Sequence, residues 1–276
     1  MRQLCGGLLF GALFLLIFWP TFVWMAQRFD AADSFYSHGW LIPFATGWLV
    51  WQRRNRLPTQ RLGSFWGLAL LIPSLVVHTL ATWWRLHFVS GFAMLGVVWG
   101  LVWTLWGAQM LWQLRFPLLF LLFMVPLPGI LLIFISFKMK LFAAMLATHV
   151  VSWVGIPAQQ AGSTIHVPGV SVIVDDACSG LRSLISLIAL SILWTSLMGS
   201  GSRWWHKLTM VAASIPVALA ANMVRIVVLL LLSAIYGPHI AEGFLHYGSG
   251  VVVFGVALAI LAWLSKSLVR EPASVS

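Results

Sequence analysis

Apolar runs long enough to cross a bilayer recur along the whole of this sequence, and that recurrence limits the fold more than any other feature. They fall at about Leu8 to Ala26, Gly39 to Gln52, Ser64 to Thr82, Phe88 to Trp106, Phe116 to Ile135, Leu181 to Met198, Leu208 to Tyr236 and Tyr247 to Ser265. A helix rises about 1.5 Å per residue and the hydrocarbon layer is about 30 Å thick, so a run near 20 residues spans it. The count predicts an all-α integral membrane protein of about eight transmembrane helices, one polytopic domain over residues 1–276. The second run is short and reaches both interfaces only through Trp40 and Trp51 at its ends. The 16 Lys and Arg and 6 Asp and Glu among 276 residues cannot solvate a globular surface, where about a quarter of residues are charged, so a second, water-soluble domain is excluded. Met1 to Ala26 reads as the first span: its run is longer than a signal-peptide core, and no small-residue cleavage site precedes Gln27.

In a soluble protein the net charge of +10 would point to nucleic acid; here it reports sidedness. With the N-terminus inside, Arg2, Arg53, Arg54, Arg56, Arg61, Arg115, Arg203, Lys207, Lys266 and Arg270 are cytoplasmic, while Arg28, Arg85, Lys138 and Lys140 are outside. That bias obeys the positive-inside rule and places both termini in the cytoplasm. Five of the six acids, Asp30, Asp33, Asp175, Asp176 and Glu242, sort to the outer side. Cys5 and Cys178 are far apart in the chain and read as free thiols.

The one long segment outside the spans is 136–177, predicted to form a small extracytoplasmic cap between spans five and six. Its first part, Phe137 to Val154, aligns Phe137, Leu141, Met145 and Thr148 on one side and predicts a helix lying in the interface. After it, Gly155, Pro157, Gly162, Pro168 and Gly169 frame the β-type runs Ser163 to Val167 and Val170 to Val174, the pattern of a hairpin.

Chemistry concentrates at the outer span ends. Cys178 lies in Asp175-Asp176-Ala177-Cys178-Ser179-Gly180-Leu181-Arg182, where a polar turn enters span six. A free membrane cysteine is often a small packing residue. Here a helix N-terminus and Arg182 at i+4 favour the thiolate, while the two aspartates oppose it. Arg225 interrupts the seventh span, with Asn222 on its face at i−3; an arginine there either binds head groups or serves a function. His246 precedes span eight, where one histidine is commonly an ordinary interfacial residue. Yet three successive spans offer a thiol, a guanidinium and an imidazole at one predicted depth, which are the parts for acyl transfer: nucleophile, oxyanion-stabilising cation and proton carrier. Histidine and cysteine spacings give no metal site, and no phosphate loop or serine elbow is present, so no cofactor is expected.

The blocks Ala177-Cys178-Ser179-Gly180-Leu181-Arg182-Ser183 and Asn222-Met223-Val224-Arg225-Ile226, followed by His246, resemble the exosortases, with the archaeosortases as distant relatives. Ser37-His38-Gly39-Trp40-Leu41-Ile42-Pro43, the basic Arg53-Arg54-Asn55-Arg56 and Pro126-Leu127-Pro128 extend the likeness over nearly the whole chain. The resemblance implies a polytopic cysteine protease or transpeptidase of the bacterial inner membrane, associated with exopolysaccharide production. It would cleave C-terminal sorting signals of PEP-CTERM type from exported membrane-anchored proteins on the periplasmic side. Carried over, Cys178 is the nucleophile, Arg225 the electrostatic partner and His246 the proton-transfer residue. Spacing adds Arg182, Asn222 and Ser179 as supporting residues. The rival reading is a transporter or a lipid- or polysaccharide-handling membrane protein in which Arg225 binds an anionic substrate.

Overall fold

The computed structural model describes residues 2–31, 34–58, 63–175, 178–198, 203–237 and 244–269, with backbone alone for 2–8, 244–247 and 269. The chain folds into two compact units, Met1–Pro128 and Gly129–Ser276, and is mostly helical.

In the first unit the opening apolar run is bent. Helix α1 (Arg2–Ile17) and α2 (Trp19–Asp30) meet at 66° around Phe18. Pro20 is the cause, since a proline lacks the amide hydrogen and its ring crowds the preceding turn. The break exposes the Ile17 carbonyl, which accepts the Nε2 proton of His78 at 3.2 Å, leaving Nδ1 as acceptor for the Ser90 hydroxyl at 2.8 Å. Thr21 joins the same buried network through Ser90. Helices α3 (Leu41–Gln52), α4 (Leu68–Trp83) and α5 (His87–Phe120) complete the unit. Gly107 turns α5 with φ 86° and ψ 173°, a conformation that only glycine adopts readily. Beyond that elbow Met110, Leu114 and Leu118 are buried while Gln109, Trp112, Gln113 and Arg115 face outward, an amphipathic stretch.

The second unit opens with α6 (Gly129–Trp153). The apolar run Phe116 to Ile135, expected as one span, is instead split at Val125-Pro126-Leu127-Pro128, and the helix expected from Phe137 begins eight residues earlier, at Gly129. Hydropathy passes smoothly through this segment, but each proline lacks the N–H for a helical hydrogen bond, crowds the preceding turn and disfavours helical geometry in the residue before it. Next comes an antiparallel sheet of β1 (Gln159–Ala161), β2 (Thr164–Val167) and β3 (Val170–Ile173), in sequential order. The β2–β3 hairpin lies where the turn residues put it, with Val167 paired to Val170; β1 is an additional strand. Helices α7 (Leu181–Leu197), α8 (Trp204–Tyr236) and α9 (Phe244–Val269) follow.

By length and apolar character, five helices among the described residues can cross a membrane, or six if the bent α1–α2 pair is one span, against the eight expected. The difference arises at α3, with 12 residues, and α7, with 17, which are apolar but short.

One apolar cluster organises the sheet. Ala143, Ala144, Ala147 and Val151 of α6 pack with Ile165, Val167, Val170 and Val174 of the hairpin, Ile226 and Leu230 of α8, and Cys178. Alternation puts Ile165 and Val167 inward and leaves His166 out, the period-two pattern of a sheet with one covered face. The Gln160 side-chain amide donates to Leu141 O, tying β1 to the C-terminal half of α6. A second cluster, including Leu187, Met210, Ala218, Ala257 and Leu261, binds α7, α8 and α9 together.

Candidate active site

Between β3 and α7 the chain makes a tight turn whose bonds are largely local. The Asp175 carboxylate Oδ1 accepts the Cys178 N–H at 2.9 Å, and the Asp175 carbonyl accepts it also, at 3.2 Å. Ser179 Oγ accepts the Leu181 N–H at 3.3 Å, satisfying one of the amides left open at a helix start. Gly180, with φ 78°, then turns the chain into α7, and its carbonyl receives the first helical bond, from Leu184 N–H, at 2.9 Å. Asp176 and Ala177 lie outside the described residues.

Helix α8 fixes the turn from the side. Asn222 is buried and donates its side-chain amide to the Cys178 carbonyl at 2.7 Å. Its contact is to the backbone of Cys178, a turn-holding role. A Cβ on residue 180 would sit 2.8 Å from both Cγ and Nδ2 of Asn222, so glycine is required there for packing as well as for φ. One turn further along α8, Arg225 is only 9% exposed and donates from Nε to Ser249 Oγ of α9 at 3.3 Å. Gly250 also lies against that guanidinium. Arg182 is half-buried on the first turn of α7.

Cys178 is 6% exposed, and burial pushes its thiol up to about 12 from an ordinary value of 9. Arg225 pulls the other way, and Asp175 adds to the rise by its charge and by accepting a hydrogen bond from the thiol. At neutral pH the group is therefore a protonated thiol, not the thiolate that a helix N-terminus and an arginine alone would favour. A nucleophilic role then needs a base to remove the proton as the sulfur attacks.

The structure thus brings together Cys178, Ser179, Asn222 and Arg225. Position 246 falls on the first turn of α9, one turn before Ser249 and Gly250, the two residues that meet Arg225; the His246 side chain lies outside the described atoms. Sequence reasoning missed the hydrogen bond of Asp175, named there only as an opposing charge, and it missed Ser249. Their signals were weak: an aspartate three residues before the cysteine, the spacing at which a carboxylate caps a turn, and a serine three residues after His246 on a helix.

A helical, multi-span membrane protein with a buried cysteine held beside an arginine at a helix entrance is the class that fold and site define. The chain belongs to the transmembrane exosortase family, whose sequence model matches residues 24–263, nearly its full length. No curated protein and no solved structure matches it.

Proposed function

We propose that this protein is a membrane-embedded cysteine protease or transpeptidase that cleaves C-terminal sorting signals of PEP-CTERM type from exported proteins, in a bacterial inner membrane and in connection with exopolysaccharide production. The observation that carries the reading is the Cys178 turn, clamped by Asn222 and lying in the field of Arg225, in a chain of the exosortase family.

In this account the Cys178 S–H bond breaks as sulfur attacks the scissile carbonyl, and His246 takes the proton. The resulting oxyanion is stabilised by the Arg225 guanidinium. Collapse breaks the C–N bond; the imidazolium returns its proton to the departing amine, leaving a thioester on Cys178. Water or an acceptor amine then attacks that carbonyl, releasing the thiolate, which is reprotonated. Asn222, Ser179 and Asp175 hold the sulfur in place, and Arg182 adds positive charge at the start of α7.

The sheet supports an outward-facing site. It covers the half of α6 that begins at Leu141, and Lys138 and Lys140 lie just before that point, where basic side chains can reach an interface. A substrate whose own helix is embedded nearby would present its peptide in near-intramolecular fashion. The charge bias supports a topology with both termini in the cytoplasm. The test is a hydroxylamine-sensitive adduct between a tagged sorting-signal protein and this chain. It is expected with the native sequence and absent with Cys178→Ala; persistence of the adduct in the variant would refute the thioester.

A further inference from the structure

We propose that the first unit binds an anionic phospholipid, its phosphate held by Arg53, Arg56 and Arg115 and one acyl chain lodged in the tryptophan-walled cavity at the Gly107 elbow. The cavity measures about 290 Å³, near the lower end of the range for ligand pockets. Its walls are Trp99 and Trp103 before the elbow and Leu111, Trp112 and Leu118 after it, and among the described residues that line it Arg115 is the one that carries a charge.

The arginines are placed, not merely nearby in sequence. Arg53 follows the last turn of α3, donates to Gln113 O at 3.4 Å and lies 5.3 Å from the Phe116 ring centroid, so it is held against the stretch beyond the elbow. Arg115 stacks over Trp112 at 3.9 Å, and Arg54 over Trp51 at 4.1 Å. Burial lowers the Arg53 pKa, and repulsion from Arg115 and Arg56 lowers it further, so these cations crowd one another.

Among the described residues of this unit, no carboxylate relieves that crowding. Residues 1–128 contain two acids, Asp30 and Asp33. Asp30 accepts the Trp40 indole N–H at 2.9 Å at the far end of α3, which over 12 residues is about 18 Å away. Asp33 lies outside the described residues. The indole nitrogens of Trp99 and Trp103, both in lining residues of the cavity, are buried and meet no acceptor among the described residues, whereas buried indole N–H groups ordinarily find one. An inorganic anion would answer the arginines and leave the apolar cavity empty; a hydrocarbon would do the reverse. A phospholipid supplies phosphate, ester acceptors and chain together.

Native mass spectrometry of the full chain in detergent tests this, with phosphatidylglycerol and phosphatidylcholine of identical chains and inorganic phosphate as probes. A one-to-one phosphatidylglycerol adduct is expected about tenfold tighter than the phosphatidylcholine adduct, a difference of about 1.4 kcal/mol. R53Q/R115Q should erase that preference, while R203Q/K207Q, which removes the same charge elsewhere, should leave it. Equal binding of the two lipids, equal loss in both variants, or displacement by inorganic phosphate at matched concentration overturns the proposal. Should R53Q/R115Q fail to fold, quenching by dibrominated lipids decides on the native sequence. Stronger quenching by the phosphatidylglycerol form, with the excess lost in W99F/W103F, supports the site; equal quenching by the two lipids rejects it.

Discussion

Asn222 and Cys178 are joined directly, the side-chain amide of one donating to the backbone carbonyl of the other at 2.7 Å across 44 residues of chain. Leaving that buried carbonyl without its donor costs about 1–3 kcal/mol. Asn222→Ala should therefore cut substrate processing about tenfold or more while the protein still inserts. Processing rate per inserted molecule, normalised by quantitative blotting, checks it; an unchanged rate would remove Asn222 from the site.

Gly180 is linked to the same contact. Gly180→Ala meets both an unfavourable positive φ and the Asn222 amide, an expected loss of about 1–2 kcal/mol or more. The double variant Gly180→Ala/Asn222→Ala should be less impaired than the two single losses summed, because the steric part vanishes with the Asn222 side chain. Thermal unfolding in detergent, run for all three variants, reads this; strict additivity would show that the two residues act separately.

The thiol titration gives a third expectation. With Cys178 near 12, its alkylation rate in the native protein should climb about tenfold per pH unit between pH 7 and 9 without a plateau. Asp175→Asn retains an oxygen for the Cys178 N–H but removes a charge that raises the thiol, so labelling at fixed pH should quicken. Arg225→Gln removes a charge that lowers it, so labelling should slow. A shift in the same direction in both variants, or each shift reversed, would contradict the electrostatic account.

Arg225 is also anchored. Its Nε donates to Ser249 Oγ, a bond that lysine cannot make in the same way. Arg225→Lys should lose most processing despite keeping the charge, whereas Ser249→Ala, which leaves the guanidinium in place, should cost less than about tenfold. Retained activity in Arg225→Lys would reduce the residue to a point charge.

Much of this was legible in the sequence, for reasons that particular residues make plain. The hairpin was readable because Gly162, Pro168 and Gly169 punctuate β-branched runs whose period is two. The Cys178 turn was readable because Ser179 and Gly180 have local roles at a helix start. Pairings across the chain were not: nothing near Ser249 records that α9 meets Arg225, since that contact exists only after three helices pack. The α5–α6 boundary was hidden by uniform hydropathy, although Pro126 and Pro128 marked it. The thiol's protonation was left open by the opposing charges beside Cys178 in sequence, because burial by Ala143, Val167, Ile226 and their neighbours is a property of packing.

The central claim is that Cys178 is the nucleophile, and intact-mass measurement of a membrane protein bearing a C-terminal sorting signal tests it most directly. Co-expression with the native chain should shift the protein to a product lacking its C-terminal helix and basic tail, the exact mass revealing water or an acceptor amine at the new end. With Cys178→Ala, inserted at an equal level, the full-length mass should remain. Complete conversion by that variant would contradict the account.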